Sequence, residues 1–575
     1  MARSRRLLTH TNPPRGMAAA LLPLLLLLLS AGAGARPPPK AGHGGGHGGG
    51  HGGEDFRVVR TAKGLVRGRA SAEGVAFLGL AYARPPVDDL RLEDPQPLEE
   101  WAGVWDALEP KPWCLQSRQN GTYEPRSDED CLYLNVWVPP GADLAGGPGA
   151  ARLPVMTFIH GGGFLRGSAM DPYFAYGKHI AGTGEPTVVV TVNYRLGAVG
   201  WLPTEARPTG NFGFKDQQAA LRWVRDNIGA FGGDADNVTI FGQSAGGFSV
   251  LLHMVARDSE GLFARAIAES APASIELMTP HVARKVVRKF NAHTACHAIR
   301  DLAALQKCWR GLDQQEILAA ETKVSFVSDP LLLLYAGLPW PPQLDGANLR
   351  GQIVPEFERL AQREPSPLVP LMIGAAREDA RPFIKTFKDR LNEAEELALL
   401  GLLLWKHPLV LAELKFAYRD LGSFADETEQ VQEMVTDGLF FCPAARLARA
   451  VGAAGRASFL YSFQHPRAKG WSPEWHKMCA GHSCHDVELP YVFGTYSQLD
   501  QAPAEVQLQE DVMGYWRRFA HRGDPGPSEG AAAMPWTDFT TTQETMLLDV
   551  RPALGMARVK ERACRIWDRT GYKFT

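Results

Sequence analysis

The chain has almost no imbalance of charge. Its 575 residues carry 61 Lys and Arg against 63 Asp and Glu, a formal charge of -2, so there is no broad positive field to draw it to nucleic acid or an anionic membrane. Long apolar runs are scarce as well. The run from about Met17 to Leu29 is shorter than the roughly 20 residues a spanning helix needs, so no transmembrane anchor is expected. Arg3, Arg5, Arg6 and Arg15 precede it and small residues follow through Ala35, the layout of a secretory signal peptide (1–35) cleaved after Ala35. A start at Met17, or an organelle-directed leader, fits the same stretch. Cysteine is sparse too: eight in all, an even count that in an exported protein reads as disulfides rather than metal ligands. A secreted or secretory-lumen destination follows from both readings.

What is present is a chain able to bury a large core, 45% hydrophobic and 22% charged. Residues 36–53 are the exception, proline-rich and then glycine-rich with His43, His47 and His51, a composition suited to a flexible tether rather than to a preorganised metal site. From 54 to 575 neither an internal repeat nor a second compositional domain is evident, so this stretch reads as one unit. Short β-branched runs alternate with amphipathic stretches, which predicts an α/β fold around a mostly parallel sheet. The clearest strands fall at 132–138, 155–159, 187–192, 238–241, 368–373 and 459–463. A helix over 215–228 places Ala220, Leu221, Val224 and Ile228 mainly on one face. Segments 281–365 and 385–450 are rich in helix formers and would supply a cap.

The strand at 238–241 runs into Gly242-Gln243-Ser244-Ala245-Gly246 and then into helix-compatible sequence. A serine at such a strand-to-helix turn needs small neighbours, because its backbone is strained and the flanking elements approach closely. Acyl transfer also needs N–H donors where negative charge develops. His160-Gly161-Gly162-Gly163, after another strand, offers those of Gly162 and Gly163, and Ala245 offers a third. His160 itself is expected to shape the loop. The hydroxyl requires a base, and chain order in this arrangement is serine, acid, histidine. His482 and His485 both qualify, as do Glu378 and Asp379 after the strand at 368–373. Spacing alone chooses within neither pair.

Six stretches in register carry a resemblance to a known family: 77–83, Glu129-Asp130-Cys131 with 132–137, the glycine loop, Asn193-Tyr194-Arg195-Leu196-Gly197, Asp216-Gln217-Gln218, and the serine turn. From about Val58 to Trp567 the chain resembles the type-B carboxylesterase and cholinesterase family. The resemblance implies an α/β-hydrolase fold, with helices on both faces of the sheet and helical cap insertions, and a serine carboxylic-ester hydrolase acting on a small-molecule ester without cofactor or metal. The family's histidine, its acid three positions on, and the aromatic-Val-Phe-Gly ending match His485, Glu488 and Tyr491 to Gly494. Its triad acid matches Asp379, with Glu378 as runner-up. Ser270 and Glu488 match residues that support the triad. The resemblance also pairs Cys114 with Cys131, Cys296 with Cys308 and Cys442 with Cys564, leaving Cys479 and Cys484 to pair beside His485; the competing reading makes Cys479, His482, Cys484 and His485 a zinc cluster.

Three departures bear on specificity. Gln243 stands where cholinesterases and many carboxylesterases have glutamate. The 114–131 loop lacks the tryptophan on which cholinesterases stack a quaternary ammonium, Tyr123 being its only aromatic. Glu269 precedes Ser270 where the family has glutamine. Choline esters are therefore not the expected substrate; lipase or thioesterase specificity, or a silent adhesion or binding member of the fold, are the alternatives. Asn120-Gly121-Thr122 is a glycosylation sequon, and Asn237-Val238-Thr239 a weaker one at the start of a strand. Oligomeric state is not legible.

Overall fold

The computed structural model describes residues 55–573 apart from 119–120, 145–150, 172–175, 183, 203–209, 325–339, 388–389, 421–423, 467–476, 496–501, 528–533 and 556–557. The signal peptide, the histidine-bearing tether and Asn120 lie outside the described residues.

The chain enters through antiparallel strands β1 (Phe56–Arg60), β2 (Leu65–Ser71) and β3 (Gly74–Ala81); β4 (Val104–Asp106) adds to β2 and β5 (Tyr133–Val138) to β3. Parallel pairing then takes over with β6 (Leu153–Ile159), β7 (Val188–Val192), β8 (Gly233–Gln243), β9 (Arg265–Glu269), β10 (Leu371–Ala376), β11 (Ser458–Phe463) and β12 (Met546–Leu548). Strand β13 (Ala553–Leu554) closes the edge antiparallel. In space the order is β1-β2-β3-β5-β7-β6-β8-β9-β10-β11-β12-β13. Strand β7, Val-Val-Val-Thr-Val, is buried throughout, as a parallel strand covered on both faces requires. Successive side chains alternate, so Ile240 of β8 enters one apolar core and Phe241 the other.

The first core lies under helices α1 (Phe212–Asn227), α2 (Ala245–Val255), α3 (Ile353–Ala361), α4 (Glu393–Leu403), α5 (Pro408–Asp420) and α6 (Cys442–Ala453), and includes Leu221, Leu251, Phe357, Leu400, Leu414 and Leu447. Helix α7 (Pro503–Arg522) covers the second core with Val512, Trp516 and Phe519. Four expected strands agree with β5, β6, β7 and β11 to within two residues. The strand expected at 368–373 begins later, at Leu371, since Pro370 has no N–H to give to a central strand, though its carbonyl accepts from Ala266 N at 3.1 Å. Strand β8 begins earlier than expected, at Gly233, through a register shift between Gly233 and Val238 where polar residues hide the strand pattern. All four cysteine pairs are bonded: Cys114–Cys131, Cys296–Cys308, Cys442–Cys564 and Cys479–Cys484. The last bond removes the thiolates that a zinc cluster would need.

The Asn-Tyr-Arg and Asp-Gln-Gln segments meet inside the first core. Arg195 Nε and Nη2 donate to the two oxygens of Asp216 at 2.7 and 2.6 Å, and Nη1 donates to Glu93 O at 2.8 Å. The two side chains are 2% and 0% exposed, so neutralising one strands the other in low dielectric. Asp216→Asn is expected to cost about 3–5 kcal/mol in urea unfolding, against about 1 kcal/mol or less for breaking the exposed Arg225–Asp226 pair. An unchanged midpoint for Asp216→Asn would contradict this.

Candidate active site

Strand β8 ends at Gln243 and α2 begins at Ala245, which leaves Ser244 alone at the turn with φ 58° and ψ -122°. A residue with a side chain keeps such a backbone only when its surroundings enforce it. Ser244 N donates to Glu269 O at 2.9 Å, and Ser244 O accepts from Phe248 N at 2.8 Å. A Cβ on Gly246 would lie 2.0 Å from Ile159 O, so only glycine lets α2 pass this close to β6.

The same strand β6 leads into the glycine loop. Gly162 has φ 104°, and a Cβ there would lie 2.2 Å from Arg166 O. The N–H groups of Gly162, Gly163 and Ala245 donate to no acceptor among the described residues. His160 braces this loop. Its ring stacks on Tyr194 at 4.4 Å between centroids, and Tyr194 Oη donates to His160 O at 2.8 Å. Burial pulls the pKa of His160 down to about 4, so the ring stays neutral near pH 7.

The remaining residues gather at the same end of the sheet, Asp379 directly after β10 and the histidine segment held to the end of β11 by Ser483 Oγ, which donates to Phe463 O at 2.6 Å. Asp379 follows β10, and its Oδ2 accepts from Ala376 N at 2.8 Å while Oδ1 bonds His485 Nδ1. His485 Nε2 has no partner among the described residues. The ring lies against Phe383 and Phe440, with centroids at 4.9 and 5.5 Å. Beyond His485, Phe493 packs on Phe158 and Phe241 at 4.8 and 5.8 Å, which anchors the histidine segment to the sheet. The neighbouring acid and histidine form a separate pair. Glu378 Oε1 lies 2.8 Å from His482 Nδ1, and Oε2 accepts from Ser483 N at 3.1 Å. The geometry thus separates candidates that spacing left open.

Beneath this layer Ser270 Oγ donates to Glu488 Oε1 at 3.2 Å, and Trp516 Nε1 donates to Glu269 Oε1 at 2.7 Å. The Oε2 atoms of both glutamates are buried without partners among the described residues. Burial pushes Glu269 up to about 8, and burial with the nearby Glu269 and Asp379 carboxyls raises Glu488 well above the usual range.

Ser244 and His485 line one cavity of about 940 Å³ together with Gln243 and the glycine loop. Its apolar wall comes from Phe383, Leu399, Leu403, Val435, Leu439 and Phe440. Segment 385–450 therefore contributes to the cap, whereas no described residue of 281–365 reaches the cavity. Sequence reasoning missed Trp113, just outside the disulfide loop. Trp113 lines the cavity, with the Arg126 guanidinium 3.7 Å above its ring, while Tyr123 does not line it and donates to Ser127 O at 2.6 Å. Asn237, the weaker sequon, accepts from Arg265 Nη1, a structural use of that side chain. Among the described residues there is no group of three or more His, Cys, Asp or Glu suited to a metal ion, and no helix is long and apolar enough to cross a membrane.

A family model described as "Carboxylesterase family" matches residues 55–567. The crystal protein of Dictyostelium discoideum is 33% identical over 500 residues, covering 85% of this chain and 86% of that protein. The cocaine esterase of Homo sapiens is 33% identical over 525 residues, covering 88% of each. A solved PNB esterase, 31% identical, matches with a TM-score of 0.72 over 88% of this chain and 99% of its own.

The raised Glu269 has a consequence for stability. Its carboxyl titrates near 4.5 when unfolded and near 8 when folded, so between these values only the folded state holds the proton. Stability should then fall as pH rises from about 4.5 to about 8, at up to about 1.4 kcal/mol per pH unit from this group. Glu269→Gln, which keeps the shape and an acceptor for Trp516, is expected to flatten that slope in urea unfolding. A slope equal to wild type would refute the assignment.

Proposed function

Because the chain belongs to the carboxylesterase family, we propose that it hydrolyses carboxylic esters through an acyl-enzyme formed on Ser244. The observation that carries this reading is the single cavity into which the Ser244 turn, the His485 ring and the unpaired N–H groups of the glycine loop all open. His485 Nδ1 is committed to Asp379, so Nε2 is the nitrogen left to take the serine proton. Ser244 Oγ attacks the ester carbonyl as His485 removes its proton. The oxyanion is received by the N–H groups of Gly162, Gly163 and Ala245, each donor being worth roughly two to three orders of magnitude in rate. Protonated His485 then gives its proton to the departing alcohol. Water enters, His485 deprotonates it, and a second tetrahedral intermediate releases the acid and restores Ser244. Asp379 holds the imidazole in the required tautomer and stabilises its charged form. Phe383 and Phe440 shield the ring from water, and Ser270 with Glu488 supports the layer beneath.

The substrates are neutral esters with a bulky apolar acyl or alcohol group, which the leucine and phenylalanine wall accommodates. Choline esters are disfavoured. Gln243 brings no negative charge, and the face of Trp113 already carries the chain's own cation, Arg126. The four disulfides and the N-terminal leader support a secretory route, on which Asn120 would be glycosylated.

Turnover of a p-nitrophenyl acyl ester series tests the reading and the choice of acid together. Ser244→Ala should abolish turnover, Asp379→Asn should lower kcat by roughly three to four orders of magnitude, and Glu378→Gln should stay within about tenfold of wild type. No turnover by folded wild type would indicate a binding member of the fold. A larger loss in Glu378→Gln than in Asp379→Asn would reverse the assignment of the acid.

A further inference from the structure

A second cavity lies at the far end of α2 from Ser244. This hollow, of about 390 Å³, is bounded by the residues that follow α2 and by α3. Arg257, Arg350, Arg359 and Arg363 contribute to its wall against two acids, Glu260 and Glu356. The local excess of two positive charges contrasts with the formal -2 of the whole chain.

The acids do not quench the arginines. Glu356 is taken up by Arg359, which donates to its two oxygens at 2.5 and 3.0 Å. Among the described residues that line the hollow, Glu260 is then the acid left beside Arg257, Arg350 and Arg363. Arg350 Nε is directed to Ala347 O at 3.0 Å, but the guanidinium groups of Arg257 and Arg363 donate to no acceptor among the described residues. Helices α2 and α3 both end at this hollow, and one cation near each end would complement their dipoles. Four arginines exceed that need. Guanidinium groups gathered around a concavity repel one another and concentrate positive potential inside it.

We propose that this hollow binds an anion bearing a phosphate group, a phosphate monoester or a pyrophosphate. The planar guanidinium fork matches two phosphate oxygens at once, which a single ammonium cannot do. Arg257 and Arg363 supply the free forks, and Arg350 retains terminal N–H groups to add. Arg359 remains with Glu356, which fixes one wall. The site shares none of its lining residues with the Ser244 cavity, so occupancy need not alter ester turnover.

Calorimetric titration of the full chain with sodium pyrophosphate, at ionic strength held constant with sodium chloride, tests this directly. In parallel, phosphatidic acid vesicles are compared with phosphatidylcholine vesicles by co-sedimentation, which tells a soluble phosphate from a lipid-borne one. Wild type should bind pyrophosphate or phosphatidic acid saturably. Arg257→Gln/Arg363→Gln should weaken that binding at least tenfold, while retaining the wild-type urea midpoint and p-nitrophenyl ester turnover. Arg363→Gln alone should fall between the two. Absence of saturable binding to either phosphate source, or equal affinity in the double variant, would overturn the proposal.

Discussion

The contact between Gly246 and the carbonyl of Ile159 sets the position of everything at the active end of the sheet. A Cβ there would collide with that carbonyl, so only glycine lets α2 start against β6, and Ser244 makes the turn with a positive φ. That turn aims the hydroxyl outward and leaves Ala245 N at the open end of a helix, where it has no intrahelical acceptor. The glycine loop leaves the same β6 strand, so its N–H groups and the serine are referred to one backbone. Strands β9 and β10 lead directly into Ser270 and Asp379, and the histidine segment is tied to the end of β11 where Ser483 Oγ donates to Phe463 O at 2.6 Å. The residues of the candidate site are thus placed at, or tied to, the ends of neighbouring strands.

Electrostatics beneath the site follow from how many carboxyls the sheet buries. Glu269, Asp379 and Glu488 are each inaccessible to solvent, and three ionised acids so close together in low dielectric would be costly. They are handled differently. Asp379 receives a backbone N–H and the His485 ring, whereas Glu269 receives the Trp516 indole and Glu488 the Ser270 hydroxyl, and burial drives both glutamates toward the protonated form. The aromatic cover on His485 completes the division, apolar above the ring and acidic below it.

Much of this was legible in the sequence where local rules suffice. The serine turn announces itself through Gly242 and Gly246 between a β-branched run and helical sequence, and β7 through an apolar run that suits only a buried strand. The apolar pattern puts the start of β10 three residues early, because the stretch looks the same on either side of Pro370 until hydrogen bonding is considered. Glu378 and Asp379 could not be separated by spacing. They occupy consecutive positions at one turn, and it is the turn that sends one to His482 and the other to His485. Trp113 carries no signal in the sequence, because its setting depends on Arg126, thirteen positions away, folding back over it through the Cys114–Cys131 loop. Leu399 and Leu403 could not be told from core leucines, since a helix that walls a cavity carries the same apolar stripe as one that packs on the sheet.

The nucleophile proposed for this arrangement is Ser244. Peptide mass analysis after treating folded protein with an ester-reactive phosphonate addresses it most directly. One adduct per chain, located on Ser244 and absent from Ser244→Ala, is the expected result. A folded protein that takes up no phosphonate, or takes it up on a different residue, would rule out Ser244 as the nucleophile.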